Sequence, residues 1–172
     1  MTNFIIEKVS LNEVDQLQTI GQQTFSETFS ASNTAADMDA YLTEKFSTET
    51  LTSELNSAGS EFYFARFDGR VIAYLKLNVG QSQTEMKGEK SLEIERIYVL
   101  NAFHGQKVGQ LLYEKAMQIA RQLAVDYVWL GVWEHNPRAI AFYKKNGFVP
   151  FDTHVFKLGT DEQTDIMMKL TL

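Results

Sequence analysis

The chain has 172 residues, 44% of them hydrophobic and 22% charged, with a formal net charge of −6 and a pI near 5.1. That length suits one domain, residues 1–172, with a real core, and the acidic balance argues against nucleic acid or an anionic membrane as a partner. There is no cysteine, which excludes disulfides, thiolate catalysis and a Cys-based metal site. The stretch Met1–Lys8 lacks a basic region followed by a long apolar run, and no segment approaches the ~18 apolar residues of a membrane span. A cytoplasmic location is therefore expected.

Phe4–Val9 reads as a short first strand, and Asn12–Phe29 has helical spacing with Val14, Leu17, Ile20 and Phe25 on one side. Small polar residues from Ser30 to Ala36 break that helix, and two short ones follow, over Asp37–Phe46 and Thr48–Leu55. Glu61–Phe67 and Val71–Leu77 flank Asp68-Gly69, a hairpin signal. Gly80–Lys90 is polar and without periodicity, so an exposed loop is expected. Strand and helix then alternate. Leu92–Val99 is a strand, and Val108–Leu123 a helix with Leu111, Leu112, Ala116 and Ile119 toward the core. Tyr127–Val132 is apolar on both faces, as in a sheet interior. Asn136-Pro137 opens another helix with Asn as cap and Pro at its first position, and Gly147 closes it. Phe148–Phe156 and Ile166–Leu172 look like antiparallel strands across a polar loop. The expected fold is α/β (α+β), a mixed central sheet of about seven strands flanked by helices.

Two segments carry chemistry. The first is the turn His104-Gly-Gln-Lys-Val-Gly109 between a strand and a long helix. A helix entered this way points unpaired N–H groups and the positive end of its dipole at the strand end, which suits phosphate. The plain alternative is a glycine-bearing connection. Neither the three-glycine dinucleotide spacing nor a Gly-Lys-Ser/Thr loop is present, so nucleotide hydrolysis is not indicated. The second is Asn136-Pro-Arg-Ala-Ile-Ala-Phe-Tyr143. Tyr143 lies two turns beyond Asn136 on the same helix face; the two either share a cleft or serve as core aromatic and cap.

In order, spacing and residue type these segments resemble the GCN5-related N-acetyltransferases, through Asn136-Pro-Arg-Ala-Ile-Ala-Phe-Tyr-Lys-Lys-Asn-Gly-Phe148 above all. A closer resemblance is to the PaiA-type bacterial polyamine acetyltransferases, in Leu92–Tyr98, Trp129–Glu134 and Gly159–Asp165. The chain departs from the superfamily pattern Arg/Gln-x-x-Gly-x-Gly/Ala: His104 stands at its first position and Lys107 at its first glycine. Since the donors are main-chain N–H groups the cradle survives both changes, and Lys107 with a partly protonated His104 favours phosphate.

The resemblance implies acetyl transfer from acetyl-CoA to a primary amine, a polyamine such as spermidine or spermine first of all. It implies that Ile97, Tyr98 and Val99 pair with the pantetheine arm. His104, Gly105, Gln106, Lys107, Val108, Gly109 and Gln110 would wrap the pyrophosphate, with Asn136 beside the thioester. Tyr143 is the implied general acid for the departing sulfur and Glu95 the implied base, Glu93 sharing its face. A backbone N–H near Tyr98 or Val99 would stabilise the oxyanion. Glu27, Asp37, Asp39 and Glu44 are candidates to attract a polycation, and Tyr41 with Phe25 and Phe29 to line a slot for its methylenes. A protein or peptide amine is the nearer alternative acceptor, and a non-catalytic acyl-CoA-binding regulatory module the more distant one. His104, His135 and His154 have no ligand-like spacing, so no metal is expected. Exposed strand edges near the C-terminus allow a homodimer.

Overall fold

A computed structural model describes residues 3–172. Among these residues, seven strands form one sheet in the order β1-β2-β3-β4-β5-β7-β6. In chain order they are β1 (Phe4–Lys8), β2 (Ser60–Phe67), β3 (Arg70–Val79), β4 (Ser91–Val99), β5 (Tyr127–Trp133), β6 (Val149–Leu158) and β7 (Asp161–Thr171). The helices are α1 (Val14–Phe29), α2 (Ala35–Lys45), α3 (Thr48–Leu55), α4 (Val108–Gln122) and α5 (Pro137–Lys145). All neighbouring strands are antiparallel except β4 and β5. That parallel pair needs a crossover, which α4 supplies.

The helices divide between the two faces. Lys115 of α4 lies over the Tyr63 ring, whereas Phe62, one residue earlier on β2, is covered by Lys76 on the other face. Phe46 follows α2 and packs on Phe25 of α1 on that second face, where Arg96 also covers it. Leu92, Leu112, Val128 and Met168 have no exposed area at all, each contributing about 1.5–3 kcal/mol relative to an exposed side chain.

Most elements fall where sequence periodicity puts them, and the departures have local causes. α1 begins at Val14 after a 3-10 turn, because the Ser10 and Glu13 side chains cap one another's backbone. On α4 the buried stripe is Val108, Leu112, Tyr113, Ala116, Met117 and Ala120, with Leu111 and Ile119 at its margin. The polar run Asp161–Asp165 is strand, not loop: it is laddered to β6, and Asp37 of α2 accepts from the Thr160 N–H (3.1 Å) and hydroxyl (2.8 Å) in the turn. The segment 80–90 is anchored. Gln83 is buried in it, and its Oε1 accepts from Ser91 Oγ (2.8 Å) and Trp129 Nε1 (2.7 Å).

Candidate active site

Strands β4 and β5 are bonded only at Ser91, Leu92 and Glu93 against Tyr127, Val128 and Trp129. Beyond that point they part, although β4 runs on to Val99 and β5 to Trp133. A bulge helps to turn β4 away: Lys76 faces Arg96 and Leu77 faces Ile94, leaving Glu95 as the extra residue. The parted strands leave backbone groups of Ile94–Val99 without a β5 partner, an edge able to pair with an extended ligand. A cleft fills the gap in two halves that share Thr28, Ile97, Tyr98, Asn136, Ala139 and Tyr143.

One half, about 620 Å³, opens over the start of α4. Val99, Phe103, His104, Gly105, Lys107, Val108, Gly109 and Gln110 line it, with Arg138 and Lys145 from α5. Its ionic side chains are Lys107, Arg138 and Lys145, without a carboxylate among them, in a protein whose net charge is −6. Lys107 is the N-cap of α4 and holds φ at +64°, the left-handed region that a glycine occupies without strain. The residue missing from the glycine pattern thus stands at the position that most needs it. Arg138 Nη1 lies 2.5 Å from His104 Nδ1, and His104 Nε2 lies 2.9 Å from the Val99 carbonyl. A guanidinium only donates, so Nδ1 accepts and Nε2–H donates to Val99. His104 thus bridges the strand end and Arg138 within the lining of this half.

The other half, about 420 Å³, lies between β4, the β5–β7–β6 side of the sheet and α1–α2. Phe25, Phe29, Tyr41, Trp133 and Phe156 form an aromatic wall in mutual contact, with Phe25 and Tyr41 stacked at 4.4 Å. Glu93 and Glu95 lie on one face, both accepting from Asn78 Nδ2 at 3.0 and 2.8 Å. Their surroundings differ. Glu95 belongs to a closed ring of ion pairs in which Lys76 (2.9 Å) and Arg96 (3.2 Å) each contact both it and Glu54. Burial opposes its charge, but Arg96 and then Lys76 prevail and hold the carboxyl below its ordinary range. Glu93, 3% exposed, meets only neutral donors: Asn78 and the Thr84 N–H (2.8 Å) and hydroxyl (2.6 Å). Burial pushes its carboxyl up.

Tyr143 stands where the halves join, 6% exposed overall. Burial, with Tyr113 adding to it, raises its phenol well above the ordinary value, so it keeps its proton. Asn136 caps α5 by accepting from the Ala139 N–H at 3.2 Å, which leaves its amide NH2 available toward the cleft it lines.

Of the residues expected in the site, Glu95, Ile97, Tyr98, Val99, His104, Gly105, Lys107, Val108, Gly109, Gln110, Asn136 and Tyr143 line the cleft. Gln106 does not. None of the four helical acids lines it either: Glu27 accepts from the Asn101 N–H, Asp37 ties down Thr160, and Asp39 and Glu44 face solvent. Arg96, Arg138, His154 and Asp165 are cleft residues that the sequence did not single out. Arg138 carries a signal, a cation in the first turn of α5 where the helix dipole disfavours it and an anion would offset it. Among the described residues, no group of three or more His, Asp or Glu is arranged to hold a metal, and no helix is long and apolar enough to cross a membrane.

Comparison with known proteins converges on one family. The acetyltransferase (GNAT) family matches residues 23–148. An uncharacterised N-acetyltransferase from the pepI 3′ region of Lactobacillus delbrueckii subsp. lactis is 40% identical over 172 residues, spanning 100% of this chain and 99% of that protein. The PaiA N-acetyltransferase of Thermoplasma acidophilum, crystallised with coenzyme A, shares the fold at a TM-score of 0.81 and 21% identity over 99% of both chains. A ribosomal-protein-alanine N-acetyltransferase of Brucella melitensis does so at 0.72 and 20% identity, covering 98% of this chain and 99% of its own.

Proposed function

The chain belongs to the acetyltransferase (GNAT) family and is an acetyl-CoA-dependent N-acetyltransferase, and on that premise we propose that it acetylates a primary amine, a polyamine such as spermidine or spermine in the first instance. The observation that carries the reading is that Tyr143, on the helix capped by Asn136, lines both halves of the cleft together with Tyr98 of β4. The half at the α4 turn suits coenzyme A, having an unpaired strand edge for amide groups and cations without carboxylates for phosphates. The aromatic half suits the acceptor. Phe25, Phe29 and Tyr41 offer a slot for methylenes, and Glu93, Glu95 and Asp165 offer carboxylates for ammonium groups.

Acetyl-CoA supplies an acetyl group on a thiol leaving group. Lys107, Arg138, Lys145 and the N–H groups of 105–110 hold the diphosphate, while the edge of Ile97–Val99 and the free amide of Asn136 orient the arm. An aliphatic ammonium with pKa near ~10 is neutral in about one molecule per thousand at pH 7, so a proton acceptor is needed. We place that proton on Glu93, since its carboxyl is raised and faces neutral donors, whereas Glu95 stays ionised within its ring and attracts the cation. A backbone N–H near Tyr98 or Val99 meets the charge developing on the carbonyl oxygen. Tyr143 donates its proton to the departing sulfur, and the phenolate takes up the second proton, which the acetylated nitrogen releases as the amide forms.

A peptide amine is the second acceptor reading, favoured by the two rim lysines, Lys45 and Lys157, which would meet carbonyl or carboxylate groups of a chain lying across the mouth. Thiol release from acetyl-CoA with spermidine, spermine, putrescine and lysyl peptides separates the two. The polyamines are expected to give the highest kcat/KM, and activity on peptides alone would overturn that assignment.

A further inference from the structure

The segment between β3 and β4 forms part of the acceptor wall through Thr84, which grips Glu93 with its N–H and its hydroxyl. The next residue, Glu85, reaches the opposite way, to Nδ1 of His154 on β6 at 3.2 Å. The other ring nitrogen, Nε2, lies 3.3 Å from Oδ2 of Asp165, its cross-strand neighbour on β7. With a carboxylate at each nitrogen, both hydrogen bonds form only when both nitrogens carry protons. The imidazole also has a prepared place: a Cβ on Gly131 of β5 would lie 3.0 Å from its Cε1. The charged groups around it are Glu85 from the segment and Asp165 from β7, with Glu93, Glu95 and Arg96 of β4 across the same cavity and Lys45 of α2 and Lys157 of β6 at the rim.

We infer that His154 is a positioning residue for acceptor binding: its imidazolium bridges Asp165 and Glu85, pinning the 80–90 segment so that Thr84 stays on Glu93. The inference rests on the reading of this half of the cleft as the acceptor's. Asp165 foremost, then Glu85, lifts the imidazole above its ordinary value against partial burial, so the pin holds below the raised value and is released as pH rises through it. Once the ring is neutral, one carboxylate faces a lone pair and Glu85 loses its partner.

The test uses the full chain with His154→Asn and His154→Lys, amine KM and acetyl-CoA KM from pH 6 to 9, and amide exchange over 80–90. Amine KM, corrected for the free-base fraction, is expected to rise with pH in the parent protein. In His154→Asn it is expected to be about tenfold higher already at pH 6 and flat, the loss of one charge-assisted hydrogen bond. The permanent cation of His154→Lys is expected to keep KM low across the range, and acetyl-CoA KM to stay within about twofold in every variant. Faster exchange at 80–90 should accompany the Asn variant. An Asn variant with the parent's amine KM and pH profile would overturn the inference. Faster exchange without any change in amine KM would overturn it too, by showing that the pin is real but this half of the cleft does not hold the acceptor; thiol release with the amine panel would be unaffected by that outcome.

Discussion

The two halves of the cleft are built on different plans. The α4 half draws its lining mostly from one continuous stretch, 97–110, and its ionic side chains are all cations. The aromatic half draws on residues from Phe25 to Asp165, carried by three helices, four strands and one connecting segment, and gives each of its acids a partner. A site made of main-chain geometry tolerates changes of side chain, and Lys107 keeps an αL backbone where the family pattern has glycine. A site made of paired side chains is tuned by every partner, and substitution there alters basicity and selectivity together.

Tyr143 belongs to both halves and sets the largest expected effect. Tyr143→Phe should lower kcat by about 10²–10⁴, the usual contribution of a general acid, while the Kd for acetyl-CoA from titration calorimetry stays within about twofold. Because burial holds the phenol above its ordinary value, the parent enzyme should show no loss of rate from tyrosine ionisation up to about pH 10. A parental kcat in the variant would remove Tyr143 from the chemistry.

The paired carboxylates come next. Glu93→Gln should lower kcat/KM by about tenfold to hundredfold and abolish the acidic limb of the pH profile. Glu95→Gln should act chiefly on the fold, costing about 3 kcal/mol in urea unfolding because Lys76 and Arg96 are left sharing Glu54. If instead Glu95→Gln alone removes the acidic limb, the roles are reversed.

The smallest effect is expected at the turn. Lys107→Gly relieves the positive φ and should stabilise the protein by up to about 1 kcal/mol, a Tm increase of roughly 2–4 °C. The lost charge should raise acetyl-CoA KM by no more than about fivefold, given that exposed charges each contribute little. A fall in Tm would show that the turn depends on the lysine side chain.

How much of this was legible in the sequence follows the same division. Asn136, Tyr143 and the 104–110 turn announce themselves because local rules of capping and helix spacing place them. Arg96 is invisible to an alternation argument, since the bulge at Glu95 puts two successive side chains on the cleft face. Asp165 and His154 meet only through a strand pairing between residues that read as polar loop and strand end. Gln83 looks like surface until the indole of Trp129, 46 residues away, supplies its partner. The helical acids fail for the converse reason: a carboxylate early in a helix reads as steering charge, yet Asp37 is occupied by the Thr160 turn at the far end of the chain.

Where the coenzyme's sulfur lies decides the role of Tyr143, and a crystal structure with coenzyme A measures it. The expected result is a diphosphate against the N–H groups of 105–110, an arm paired with Ile97–Val99, and a thiol within hydrogen-bonding reach of the Tyr143 hydroxyl. A coenzyme bound outside the gap between β4 and β5, or a thiol beyond the reach of that phenol, would contradict it.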